Sequence, residues 1–129
     1  MNHAVAINLK IPDNAAYTAL VTLRRLGVDV TRVERAQIVR SDATPDAATL
    51  AARVERDESL FNPNKHIVTA LGQDAPRPGE LWIVQDDPNR PVAWRLYQAA
   101  NVPAEARVLR QAAESLLCNP AIERAIYPE

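Results

Sequence analysis

Side chains able to act as nucleophiles, proton carriers or metal ligands are sparse in this chain. Its two histidines, His3 and His66, lie far apart, and neither has a cysteine or second histidine at metal-ligand spacing. The one cysteine, Cys118, sits among Leu116, Leu117 and Pro120, where a small buried thiol is at home and an activated thiolate is not. Only three glycines occur, at 27, 72 and 79, so neither a phosphate-cradling loop nor a dinucleotide fingerprint can be written. Arg53, Glu55, Arg56, Asp57 and Glu58 bring carboxylates together, but mixed signs on a weakly amphipathic helix read as a solvated face, with Arg53 and Asp57 as helical neighbours. Glu34, Asp57 and His66 remain as scattered groups with no convergent site. The expectation is therefore no catalytic residue, no cofactor site and no metal site, in a chain that is not itself an enzyme.

The aromatic residues suggest a different use. Trp82, Trp94 and Tyr97 could stack on a planar ligand, yet 15 basic against 16 acidic residues give a formal net charge of -1, and no basic groove accompanies them. Nucleic acid and anionic membrane are thus not expected as partners. Core or interface packing is favoured instead. Leu81 and Ile83 point to one face of a short strand while Trp82 and Val84 point to the other, so both faces call for cover. These four residues are the expected subunit interface of a homo-oligomer, a dimer or tetramer.

The elements that would position these residues follow from periodicity. Val5, Ile7, Leu9 and Ile11 alternate with Ala6, Asn8 and Lys10 as a first strand with one apolar row, ended by Pro12. Asp13 or Asn14 caps a helix with Ala16, Leu20, Leu23 and Leu26 on one stripe, Arg24 and Arg25 in its last turn, and Gly27 terminating it. From Val28 a second strand changes parity between Val30 and Ala36, which predicts a bulge or bend near Thr31 to Arg35. Thr44-Pro45-Asp46 starts a further helix, capped by the hydroxyl, with Leu50, Val54 and Phe61 on its stripe; Asn62-Pro63-Asn64 breaks it.

Ile67 to Leu71 and Leu81 to Val84 read as a hairpin with a long loop, and Val92 to Gln98 is open between strand and helix. Pro103 opens a last helix with Ala106, Leu109, Ala113 and Leu116 inward, Asn119-Pro120 stops it, and Ile122 to Tyr127 closes as a strand. At 129 residues, 47% apolar and 24% charged, one globular domain over residues 1–129 is expected. No apolar run suits a bilayer span and the start does not read as a signal peptide, so a cytoplasmic location is expected. With a stretch of about 42–91 taken as an insertion, the order becomes βαββαβ. That is an α+β fold with the split βαβ arrangement of ferredoxin-like domains, carrying an inserted helix and loop.

Two blocks resemble the PurS family of small subunits of phosphoribosylformylglycinamidine synthase. Val5, Ile7, Leu9-Lys10, then Ala19-Leu20 through Leu26-Gly27 and a strand from Val28 are similar to the family's strand, Leu-Lys, helix, Leu-Gly, strand opening. Glu114-Ser115-Leu116-Leu117-Cys118-Asn119-Pro120-Ala121-Ile122-Glu123 resembles its final helix and Leu-Leu-x-Asn-Pro-x-Ile-Glu signature. The blocks cover residues 4–39 and 103–127, while Ile11-Pro12-Asp13-Asn14-Ala15 replaces the family's Asp-Pro-Gln-Gly turn and Val33-Glu34-Arg35-Ala36-Gln37 its Val-Gly-Lys segment. The resemblance implies a PurS-like fold and a non-catalytic subunit. Such a subunit joins a glutaminase subunit to an ATP-dependent synthetase subunit in purine biosynthesis. The alternative from the residues alone is a ferredoxin-like regulatory module that binds a small metabolite at a dimer interface.

Overall fold

The computed structural model describes residues 2–129 as β1 (His3–Leu9), α1 (Asn14–Arg25), β2 (Arg32–Ser41), α2 (Ala47–Glu55), β3 (His66–Ala70), β4 (Glu80–Val84), β5 (Val92–Gln98), β6 (Val102–Pro103), α3 (Ala106–Ala112) and β7 (Arg124–Ile126). Among the described residues the strands form one open seven-stranded sheet of order β3-β1-β2-β5-β4-β7, with β6 beside β5. Every pairing in it is antiparallel. No helix is long and apolar enough to cross a membrane among the described residues.

The α+β, open antiparallel plan is compatible with a ferredoxin-like fold. With residues 42–91 and the short β6 set aside, the order β1-α1-β2-β5-α3-β7 is the expected βαββαβ. The neighbours differ from a split βαβ unit: β1 and β2 pair directly, Val5 opposite Val39, with no strand between them, and the closing strand β7 lies beside β4 at the far edge and not beside β1. Nor is the 42–91 stretch an appendage, because its β3 takes the sheet edge next to β1 and its β4 lies between β5 and β7.

Register puts all three helices on one face. Val5 and Ile7, with Val39, pack under Leu50 and Val54 of α2, joined by Phe61. Val33, Leu96, Leu81 and Ile83 pack under Ala16, Ala19 and Leu23 of α1 and Val108, Leu109 and Ala112 of α3. The opposite face carries Ala4, Ala6, Ala36, Ile38, Trp82 and Ala93, and it too is buried. Its cover is the β3-to-β4 connection. β3 and β4 stand four strand steps apart, about 19 Å, which the nine residues 71–79 span easily at about 3.3 Å each. The two strands are therefore not the predicted hairpin. Their connection crosses the sheet over a floor of alanines whose small side chains admit a backbone.

Two ion pairs pin this crossing segment. Arg40 Nε and Nη2 each donate to Asp74 at 2.7 Å, a bidentate fork that holds the Arg40 guanidinium above its ordinary pKa. Farther along, Glu80 is 0% exposed and accepts from the Arg77 N–H at 2.9 Å, Arg77 Nη2 at 2.7 Å and Trp82 Nε1 at 3.1 Å. Burial works against the Arg77 charge, but the Glu80 carboxylate, with Tyr97 and Glu34 adding, offsets it and Arg77 is raised. Gly79 closes the crossing at φ +76, with Leu96 O and Pro103 Cβ each 2.8 Å from where a Cβ would stand.

Two-sided burial corrects several sequence expectations. β1 has apolar rows on both faces, not one. β2 runs in unbroken register from Arg32 to Gln37 against β5, so the parity change is not a bulge: Val33 serves the helix side, Ala36 and Ile38 serve the other, and Val28 and Val30 lie in the buried approach to the strand. Asp13 caps α1 as expected, accepting from the Ala16 N–H at 3.1 Å, and Gly27 ends it at φ +84. Leu26, however, is exposed and Ala19 takes its place in the core. Asp46, not Thr44, caps α2, accepting from the Thr49 N–H at 2.7 Å, while the Thr44 hydroxyl is buried without a partner. Pro103 belongs to β6, and α3 begins beyond it. From Ala113 to Leu117 the last helix widens into a π-turn, with the Cys118 N–H reaching back to Ala113 O at 3.1 Å. The wider turn brings Leu117 to the core and leaves Leu116 42% exposed.

Candidate functional site

The helix layer is interrupted where α1 and α3 on one side part from α2 on the other. Along this line the helix-side positions of β2 read Val33, Arg35, Gln37, Val39, so a half-buried guanidinium and an exposed amide stand in a row otherwise apolar. Arg35 is half-buried and lies directly opposite Trp94 of β5, its guanidinium 5.6 Å from the indole centroid. Its side chain forms no ion pair or side-chain hydrogen bond among the described residues; only its backbone carbonyl is engaged, by Asn8 Nδ2 at 2.9 Å.

Three clefts border this pair, the second lined by both residues, the first by Arg35 alone and the third by Trp94 alone. One of about 490 Å³ lies beside Arg35 and is lined by Leu9, Asp13, Tyr17, Leu20 and Ile67. A second, of about 300 Å³, is floored by Ile83, Val92, Trp94 and Leu117 and rimmed by Arg35, Asp86, Asp87, Arg90 and Glu123. The third, about 490 Å³, runs from Trp94 between Ala15, Thr18 and Thr22 of α1 and Leu116 of the π-turn. Around the second cleft, Asp87 Oδ1 accepts from the Asn89 N–H at 2.8 Å and Glu123 Oε1 from the Asn119 N–H at 2.8 Å. Asp86 and Arg90 have no side-chain partner among the described residues. The rim thus offers free groups of both signs above an apolar floor.

The residues expected to form a subunit interface lie elsewhere. Leu81, Trp82, Ile83 and Val84 are all buried within the single chain: Leu81 and Ile83 under α1 and α3, and Trp82 at 1% exposure in the core of the opposite face. The need for cover inferred from their alternation is met by helices on one side and the 71–79 segment on the other.

The scattered ionisable candidates have local partners. His66 Nδ1 accepts from the Asn62 N–H at 3.0 Å, and its ring stands 6.1 Å from Phe61. Asp57 lies past the end of α2, so it does not pair with Arg53; it accepts from Ser59 N and Oγ at 3.0 and 2.6 Å, and that hydroxyl and N–H hold its carboxyl below the usual range. Glu34 pairs with Arg32 at 3.2 Å on the helix-free face, where Arg32 also stacks 3.9 Å from the Tyr97 centroid. Burial, then the neighbouring Glu34 carboxylate, raise the Tyr97 phenol. Burial, with Glu123 adding, likewise pushes the Cys118 thiol up, away from nucleophilic thiolate. No group of three or more metal-ligating side chains occurs among the described residues.

Trp94 was singled out by its aromatic type, but Arg35 was not. The signal for it is parity: once Val33 and Val39 face inward, Arg35 must as well. Compared with known proteins, the sequence matches no protein-family model and no curated protein.

Proposed function

We propose that this chain is a non-catalytic bridging subunit of the PurS type, joining a glutaminase subunit to a synthetase subunit in the amidine-forming step of purine biosynthesis. The two terminal blocks, above all Leu116 to Glu123, motivate the reading. The observation that carries its bridging part is the presence of two separate apolar surfaces. Leu9, Tyr17 and Ile67 are exposed and line the first 490 Å³ cleft, at the end of β1 and β3. Leu116 and Ile122, the latter 58% exposed, belong to the signature-like block, and Leu116 borders the cleft against α1. A chain that touches two partners at once needs two such surfaces, and exposed apolar groups gathered at clefts are the usual form of a protein-binding patch.

Size-exclusion chromatography with the synthetase and glutaminase subunits of the same organism tests this. The wild-type chain should co-elute with both. Leu116→Asp should lose one partner and Tyr17→Asp the other, with each variant keeping the partner it does not touch. Failure of the wild-type chain to associate with either subunit would refute the reading.

A further inference from the structure

We propose that the cleft floored by Trp94 binds a free α-amino acid with an apolar side chain, its carboxylate held by Arg35 and its ammonium by Asp86. This stands apart from the bridging reading and does not depend on it. Arg35 is the starting point. It occupies an inward position of a central strand, half-buried, with no carboxylate to meet its fork of N–H donors. A carboxylate is the partner such a fork accepts in two parallel hydrogen bonds.

The rest of the rim decides which carboxylate compound fits. Asp86, Asp87 and Glu123 stand against Arg35 and Arg90, an excess of negative charge that disfavours a phosphate dianion or a dicarboxylate. A zwitterion satisfies both signs. Asp87 and Glu123 are each held by a backbone N–H, whereas Asp86 has no partner among the described residues and is the acceptor most open to an ammonium. Ile83, Val92, Trp94 and Leu117 form the floor, suited to an aliphatic or aromatic side chain. About 300 Å³ is at the small end of ligand sites, which matches one amino acid and not a nucleotide.

Trp94 supplies the readout. Of the two tryptophans, Trp82 is sealed on the opposite face, so ligand-dependent emission reports the cleft. The full-length chain is titrated with L-leucine and L-phenylalanine, then with L-leucinamide, which lacks the carboxylate, N-acetyl-L-leucine, which lacks the ammonium, and inorganic phosphate. Melting temperature and tryptophan emission are both followed. The two free amino acids should shift emission saturably and raise the melting temperature, and each derivative should bind about tenfold more weakly or worse. Arg35→Gln should weaken leucine binding by a similar factor, while Arg107→Gln, at an exposed position of α3, should not.

No response to either amino acid at about 10 mM, equal binding of leucinamide, a response to phosphate alone, or undiminished binding by Arg35→Gln would each overturn the proposal. Should Arg35→Gln fail to fold, the comparison of leucine with leucinamide on the wild-type chain decides alone.

Discussion

Removing the Glu80 carboxylate should loosen the segment that seals the helix-free face. In Glu80→Ala the buried indole N–H of Trp82, 3.1 Å from Oε1 in the native chain, is left without an acceptor. An orphaned buried donor costs about 1–3 kcal/mol. Arg77 also loses the acceptor of its backbone N–H and of its side chain, but the side chain is 28% exposed and can turn to water, so its share is smaller, about 1 kcal/mol. Together the loss is about 2–4 kcal/mol, below the upper range for breaking a fully buried pair. Glu80→Gln keeps an acceptor for Trp82 while giving up the charge, and should cost about 1–2 kcal/mol. Urea unfolding followed by circular dichroism measures both, with a midpoint drop of roughly 1–2 M for the alanine variant. In a Trp82→Phe background, Glu80→Ala should cost less, because no indole N–H remains to be orphaned. A Glu80→Ala loss under about 0.5 kcal/mol, or an equal loss in the Trp82→Phe background, would show that the Glu80 carboxylate does not hold the buried Trp82 indole.

Gly79→Ala and Gly27→Ala both place a side chain at positive φ, but only the first meets atoms under 3 Å away, so it should cost about 3 kcal/mol or more against about 1 kcal/mol for the second, by the same unfolding assay. Cys118 should react with a disulfide reagent more slowly than free cysteine at neutral pH, since its thiol is raised by burial and then by Glu123; a faster reaction would contradict that environment. The Asp46 carboxyl is lowered by its bond from the Thr49 N–H, so its folded-state pKa lies below its unfolded one. Its support for α2 is then present above about pH 4 and lost as pH falls through the folded value, and Asp46→Asn should flatten that part of the stability profile.

The first helix was the most legible element because everything that defines it is local: the Asp13 cap, the stripe through Ala16 and Leu23, and the terminating Gly27. Most strands are legible, with Val92–Gln98 open between strand and helix, but their neighbours are not. Short runs such as His66–Ala70 and Glu80–Val84 carry no mark of which strand they pair with, and proximity in sequence favours a hairpin where the chain instead crosses the whole sheet. That crossing also hid the second core. With one face taken as wet, a strand with Val33 inward on one side and Ile38 on the other reads as bulged; with both faces covered it is regular. The same oversight made Trp82 and Val84 look like interface residues. Of the cleft, Trp94 was legible by type; Arg35 depended on knowing the register.

The most direct measurement of the proposed bridging role is an add-back assay. Synthetase and glutaminase subunits from the same organism are combined, and amidine formation is followed with glutamine or with ammonia as nitrogen donor, with and without this chain. On the proposed reading, addition of the chain should give a large gain in the glutamine-dependent rate and little change in the ammonia-dependent rate, because a bridging chain would supply docking and not amide chemistry. Full glutamine-dependent activity from the two subunits alone would contradict it.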